Sequence, residues 1–119
     1  MINIKDLVYA ELSKVLDNVT DIYPTSWAQL PAVQYTEEEN RVQEWTDDKE
    51  TLSYVRYRID IWDNKSTSST AIQVDEVLAK FGLKRTSCSD VADPSGMRHK
   101  QMRYEAIYDT EKKFIYHTN

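Results

Sequence analysis

Glycine is nearly missing from this chain. Only Gly82 and Gly96 occur in 119 residues, which leaves no glycine-rich loop to cradle a phosphate. A single cysteine, Cys88, rules out an internal disulfide and suits a reducing compartment such as the cytoplasm. The two histidines, His99 and His117, are too few for the common zinc ligand sets unless carboxylates or Cys88 join them. No apolar run approaches membrane-spanning length. The start, MINIKDLVYAEL, lacks the order of basic, apolar and small-residue segments that marks a signal peptide. Strong positive charge is also lacking. The net charge is −5, and a dedicated nucleic-acid binder would show a basic stripe or patch. The one local basic cluster, Arg98, Lys100 and Arg103, is divided between two faces if it lies on a strand.

What the chain has is aromatic residues and alternation. Eight tyrosines and three tryptophans suit strands and interfaces better than a helical bundle. Residues 52–62, LSYVRYRIDIW, alternate strictly and predict a long strand with two unlike faces. Val55, Tyr57, Ile59 and Ile61 point to a core. Tyr54, Arg56, Arg58, Asp60 and Trp62 point the other way, and Tyr, Arg and Trp are enriched where proteins meet partners. The plainer reading of that second face is a solvated side of an antiparallel sheet.

Apolar residues Ile4, Leu7, Val8, Leu12, Val15, Leu16 and Val19 recur at helical spacing and predict a helix over 4–17, capped by Asn3. A short extended piece over 20–23 and a proline-bounded loop over 24–31 follow. Residues 32–45 and 51–62 predict a long β-hairpin with a charged tip over 46–50. The acidic run Glu37-Glu38-Glu39 reads as a solvated strand edge. The polar stretch 63–70 leads, through a cap at Ser68, Ser69 or Thr70, into a second helix ending at Phe81. Its apolar face carries Ala71, Val74, Val77, Leu78 and Phe81, and Gly82 is its stop. Strands over 83–91 and 99–108 flank the turn at Asp93-Pro94-Ser95-Gly96. The end, residues 114–117, is a short apolar piece able to pair with the sheet.

This order describes a single α+β domain over residues 1–119. Two helices pack on one face of an antiparallel or mixed sheet of about four to six strands. The expected core is Ile4, Leu7, Val8, Leu12, Val15, Val55, Tyr57, Ile59, Ile61, Val74, Leu78 and Phe81. The polar tip and residues 63–69 are expected to open locally more easily than that core.

Chemistry is thin. A two-carboxylate-plus-histidine metal site would draw on Asp90, Asp93 and His99, but a turn-capping Asp93 and an exposed strand histidine account for the same residues. Cys88 reads as a small core residue rather than a nucleophile. The acidic run is not the isolated carboxylate in an apolar pocket that general acid catalysis requires. The sequence therefore predicts no catalytic residue, no cofactor and no metal. It predicts a protein interface instead, formed by Trp45, Asp47, Asp48, Lys49, Tyr54, Arg56, Arg58 and Trp62.

Three stretches carry a resemblance. They are TDIYPTSWAQLPAVQYTEEENRVQEWTDDKE, YVRYRIDIWDNKSTSSTAIQVDEVLAKFGLKRT and DPSGMRHKQMRYEAIYD, which together cover nearly the whole chain. Within them, P-x-x-x-x-x-x-P-x-V-x-Y, Y-x-I-D-I-W and a helix ending F-G-L-K-R follow in fixed order. The chain resembles the tail-completion or tail-terminator proteins of long-tailed phages and prophages, broadly the group of the lambda tail protein U. That resemblance implies an α+β subunit that self-associates into a ring at the head-proximal end of the tail tube. The ring ends tube growth and allows head–tail joining. Its implied partners are the tail tube protein and the head connector protein, with DNA passing through unbound and no membrane. The implied location is the virion tail, assembled in the host cytoplasm. Competing classes are a small head–tail connector, a cytoplasmic α+β protein-binding module, and a metal-dependent hydrolase using His99.

Overall fold

The computed structural model describes residues 2–118. The elements run α1 (Lys5–Ser13), β1 (Asn18–Thr20), β2 (Ala32–Thr46), β3 (Lys49–Asp63), α2 (Ser68–Phe81), β4 (Lys84–Val91), β5 (Arg98–Asp109) and β6 (Phe114–Tyr116). The six strands form one mixed sheet in the order β1-β2-β3-β5-β4, with β6 also beside β5. β1 is parallel to β2, and every other pairing is antiparallel. This is the α+β architecture that the order of elements predicts. Among the described residues no helix is long and apolar enough to cross a membrane.

Strict alternation along β3 sets the two faces. Val55, Tyr57, Ile59 and Ile61 are fully buried. Register places Tyr57 beside Tyr104, Ile59 between Tyr35 and Met102, and Ile61 beside Val33. Both helices cover this face. Val8 and Leu12 of α1 and Ala71, Val74 and Leu78 of α2 join the same core cluster. Fully burying one such aliphatic side chain contributes about 1.5–3 kcal/mol, so this face dominates stability.

The hairpin is tighter than its sequence suggests. Pairing continues to Thr46 and Lys49. Asp47 and Asp48 turn the chain alone, with φ of 52° and 61°. Two consecutive left-handed residues match the right-handed twist of the flanking strands, and Asp tolerates that conformation. The expected five-residue tip is thus a two-residue turn.

Other expectations need correction. α1 ends at Ser13 rather than Asp17, and its cap position is Ile4, while Asn3 hydrogen-bonds Asp6 at 3.4 Å. Its buried stripe is the single row Ile4, Val8, Leu12, and Leu16 continues it beyond the helix. Leu7, at 47% exposure, lies on the flank of that row. Val15 follows the end of the helix and is 39% exposed. Phe81, in the last turn of α2, is only partly buried. Thr67, not Ser68 to Thr70, holds the cap position of α2. Cys88 is exposed rather than core. It lies opposite Met102 on the helix-covered side, but β4 is an edge strand that the helices leave largely uncovered.

Gly82 is used twice. Its φ of 110° closes α2 in the left-handed region. Its missing side chain also lets β6 pass, because a Cβ there would sit 2.5 Å from the Ile115 carbonyl oxygen.

Candidate interaction surface

The sheet face away from the helices begins with a β-bulge. Register slips between Glu37 and Glu39 on β2. An extra residue in a strand lets two neighbours share one side. Glu37 points to the core face, where it accepts a hydrogen bond from the buried Tyr57 hydroxyl. Glu38 and Glu39 both reach the arginines of the outer face. Glu38 meets Arg103 at 3.0 Å, Arg56 at 3.5 Å and Arg58 at 3.6 Å. Glu39 pairs with Arg41 and, at 3.4 Å, with Arg56. The acidic run is therefore divided between core and outer face, and is not a free solvated edge.

Further along the same face, Asp60 is 2% exposed and fully engaged. It accepts from Arg58 Nε at 2.9 Å, His99 Nε2 at 2.7 Å and Gln101 Nε2 at 3.1 Å. Several donors on one carboxylate make its burial tolerable. The imidazole of His99 stacks on Trp62, ring centres 4.5 Å apart. Trp62 in turn stacks on Tyr23 at 5.4 Å and meets Trp27 edge-on at 5.9 Å. Its indole N–H donates to Asp93 at 3.2 Å. The Asp93 carboxyl is held below the usual carboxylate range, first by the Ser95 hydroxyl and also by Trp62 and His99.

At the other end, Tyr54 donates to Glu105 at 2.8 Å, and the Arg41 guanidinium lies 4.2 Å above its ring. Burial, followed by the Glu105 hydrogen bond, pushes the Tyr54 phenol upward. Beyond it the hairpin ends in Trp45, 61% exposed, and in exposed Asp47, Asp48 and Lys49.

The eight expected interface residues therefore fall into three settings. Trp45, Asp47, Asp48 and Lys49 are open to solvent at the hairpin end. Tyr54, Arg56 and Arg58 share the outer face, Tyr54 partly covered by Arg41 and its hydrogen bond to Glu105, and the two arginines by their ion pairs. Trp62, only 4% exposed, is removed from any accessible surface by Tyr23, Trp27 and His99. The expected interface omits Glu38, His99, Gln101 and Arg103, and also Asp60, which the alternation of β3 already places on this face. Their signal was present in part: His99, Gln101, Arg103 and Glu105 alternate against the apolar Met102, Tyr104 and Ala106, which assigns them to one outer face.

The basic cluster splits as the alternation requires. Lys100 turns to Asp90 at 2.9 Å, and Arg103 to Glu38. Asp90 does not join His99 and Asp93, because its side chain faces Lys100 and is largely exposed. Among the described residues no group of three His, Cys, Asp or Glu stands in an arrangement able to hold a metal ion. The surface offers chemistry for recognition: fixed guanidinium groups, carboxylates and aromatic edges. Compared with family models and with curated proteins, the chain matches none.

Proposed function

We propose that this chain is a structural tail protein of a long-tailed phage or prophage. It caps the head-proximal end of the tail tube as a ring, ends tube growth and allows head–tail joining. The observation that carries this reading is the ordered resemblance along the chain, set on an α+β subunit with a long hairpin. The hairpin ends in exposed Trp45, Asp47, Asp48 and Lys49 and displays Tyr54 and Arg56 on its outer side. An exposed tryptophan beside mixed charges is the composition of a contact surface. A net charge of −5 suits a channel wall that lets DNA slide, because gripping phosphates requires clustered Lys and Arg.

The test is co-assembly with the tail tube and head connector proteins of the same genome, followed by electron microscopy with a gold label on this chain. Label confined to one end of each tube, with tubes of uniform length, is the expected result. Label on the capsid portal without tubes would make the chain a head–tail connector. Label on neither structure would end the tail reading.

A further inference from the structure

Two long stretches of this sheet are paired on one side only. Among the described residues β4 pairs only with β5, and β2 beyond Gln34 pairs only with β3. An unpaired strand presents a row of free N–H and C=O groups, and proteins guard such edges with proline, lysine, bulges or brevity. β4 is weakly guarded. Its bulge falls between Arg85 and Ser87, and residues 87–91 then run in regular register without proline or lysine. All of β4 but Lys84 is exposed.

We infer that β4 of one copy pairs antiparallel with the open stretch of β2 in a second copy, so that the sheet continues from copy to copy. Length supports this occupant. β1 covers only residues 32–34 of β2, which leaves residues 35–46 open to the eight residues of β4, laid end to end with β1, with bulges at Glu37/Glu39 and from Val42 to Trp45 and regular register between them. Direction supports it too. β2 and β5 run one way, and β3 and β4 the other. A neighbouring copy in the same orientation therefore brings β4 against β2 antiparallel, as in most of the sheet.

Charge separates the two edges. Antiparallel pairing brings Lys84 and Arg85 to the hairpin end of β2, beside the exposed Glu44, Asp47 and Asp48, and carries Asp90 toward Arg41. The asymmetry extends over the chain. Residues 1–48 contain ten Asp or Glu and three Lys or Arg, and residues 49–119 contain ten and twelve. Unlike edges make the contact heterologous, so each paired copy keeps one edge free for the next, and repetition gives a ring or a filament. That the repeat closes into a ring rests on the tail reading above; the pairing itself rests on the sheet.

Cys88, the single cysteine, lies on β4 on the helix-covered side. Val42 lies on the same side in the open stretch, opposite the buried Ser53. Val42→Cys thus gives every copy one thiol on each edge. The variant is oxidised mildly, both free at high concentration and on tube ends, and run on non-reducing gels. Hydrogen exchange of residues 35–46 and 84–91 is compared between dilute and assembled protein. Expected are a ladder of trimers and larger species that the unmodified chain lacks, and slowed exchange in both stretches. Adding Lys84→Glu and Arg85→Glu should cut the ladder about tenfold or more. Dimers alone, linked Cys88 to Cys88 in the unmodified chain, would replace this pairing with a two-fold one. Absence of both ladder and protection would overturn it. Rings at tube ends without either signal would remove this inference and leave the tail reading. A ladder from a chain that ignores tubes would do the reverse.

Discussion

Asp60 on β3 and His99 on β5 stand 2.7 Å apart, and the histidine is one of three donors that close around a carboxylate with almost no access to water. The contact joins the arginine-rich part of the outer face to its aromatic end. Asp60→Ala should destabilise the fold by about 3 kcal/mol, because Arg58, His99 and Gln101 lose their shared acceptor in a half-buried setting. Urea melts measure it. A midpoint equal to the parent's would show that the cluster contributes nothing to folding.

Arg56 and Arg58 differ in consequence although they occupy equivalent strand positions. The side chain of Arg56 is 41% exposed and meets Glu38 and Glu39, whereas Arg58 reaches the buried Asp60. Arg56→Ala should stay within about 1 kcal/mol of the parent. Arg58→Ala removes one of the three donors, and the one fixed cation, from the buried Asp60 and should cost about 2–3 kcal/mol. Thermal melts of the two variants rank them, and equal stabilities would contradict the asymmetry.

The two glycines make a matched pair. Both have positive φ, but a Cβ at Gly82 meets the Ile115 carbonyl while one at Gly96 meets nothing within 4 Å. Gly96→Ala bears backbone strain alone, about 1 kcal/mol. Gly82→Ala bears that strain and must also displace β6, so about 2–3 kcal/mol is expected. Hydrogen exchange at residues 114–116 should accelerate only in Gly82→Ala.

Tyr57 and Tyr104 make the fold sensitive to alkali. Burial, then hydrogen bonds to Glu37 and Asp75 respectively, push both phenols well above their ordinary range. The folded state keeps these protons where the unfolded chain releases them, so stability falls as pH rises past about 10. Tyrosinate absorbance from these two rings should appear only together with loss of structure. Phe at either position should remove one late-titrating ring.

The acid limb has the opposite sign. Asp93 is held low by Ser95, Trp62 and His99. Its contribution is present above the unfolded carboxylate value of about 4 and is lost as pH falls through the lower folded value. Trp62 fluorescence should change in that window, and Asp93→Asn should flatten the change. A pH response identical to the parent's would show that Asp93 does not govern it.

Period-two alternation made β3, β5 and their two faces readable, because a strand's neighbours on either face follow from side-chain direction alone. Gly82 marked the end of α2 for an equally local reason. Cys88 and Trp62 were misplaced because their burial depends on distant segments: the helices leave β4 uncovered, and the loop bearing Tyr23 and Trp27 folds over the hairpin's base. The partner of His99 was hidden in the same way. Asp90 is nearer in sequence, but β3 lies between β2 and β5, and this order brings Asp60 to the ring instead. The bulge at Glu38 leaves no pattern in a run of three glutamates.

The two-residue turn at Asp47 and Asp48 also bears on the route by which the chain reaches this sheet. β2 and β3 zip together across the shortest possible closure, whereas β3 meets β5 only after α2 and β4 have been looped out. Loop closure loses chain entropy before distant contacts return any free energy. The hairpin is therefore the natural seed of the sheet, because its two strands can pair before β5 reaches β3. Weakening that turn should slow folding more than it destabilises the finished protein.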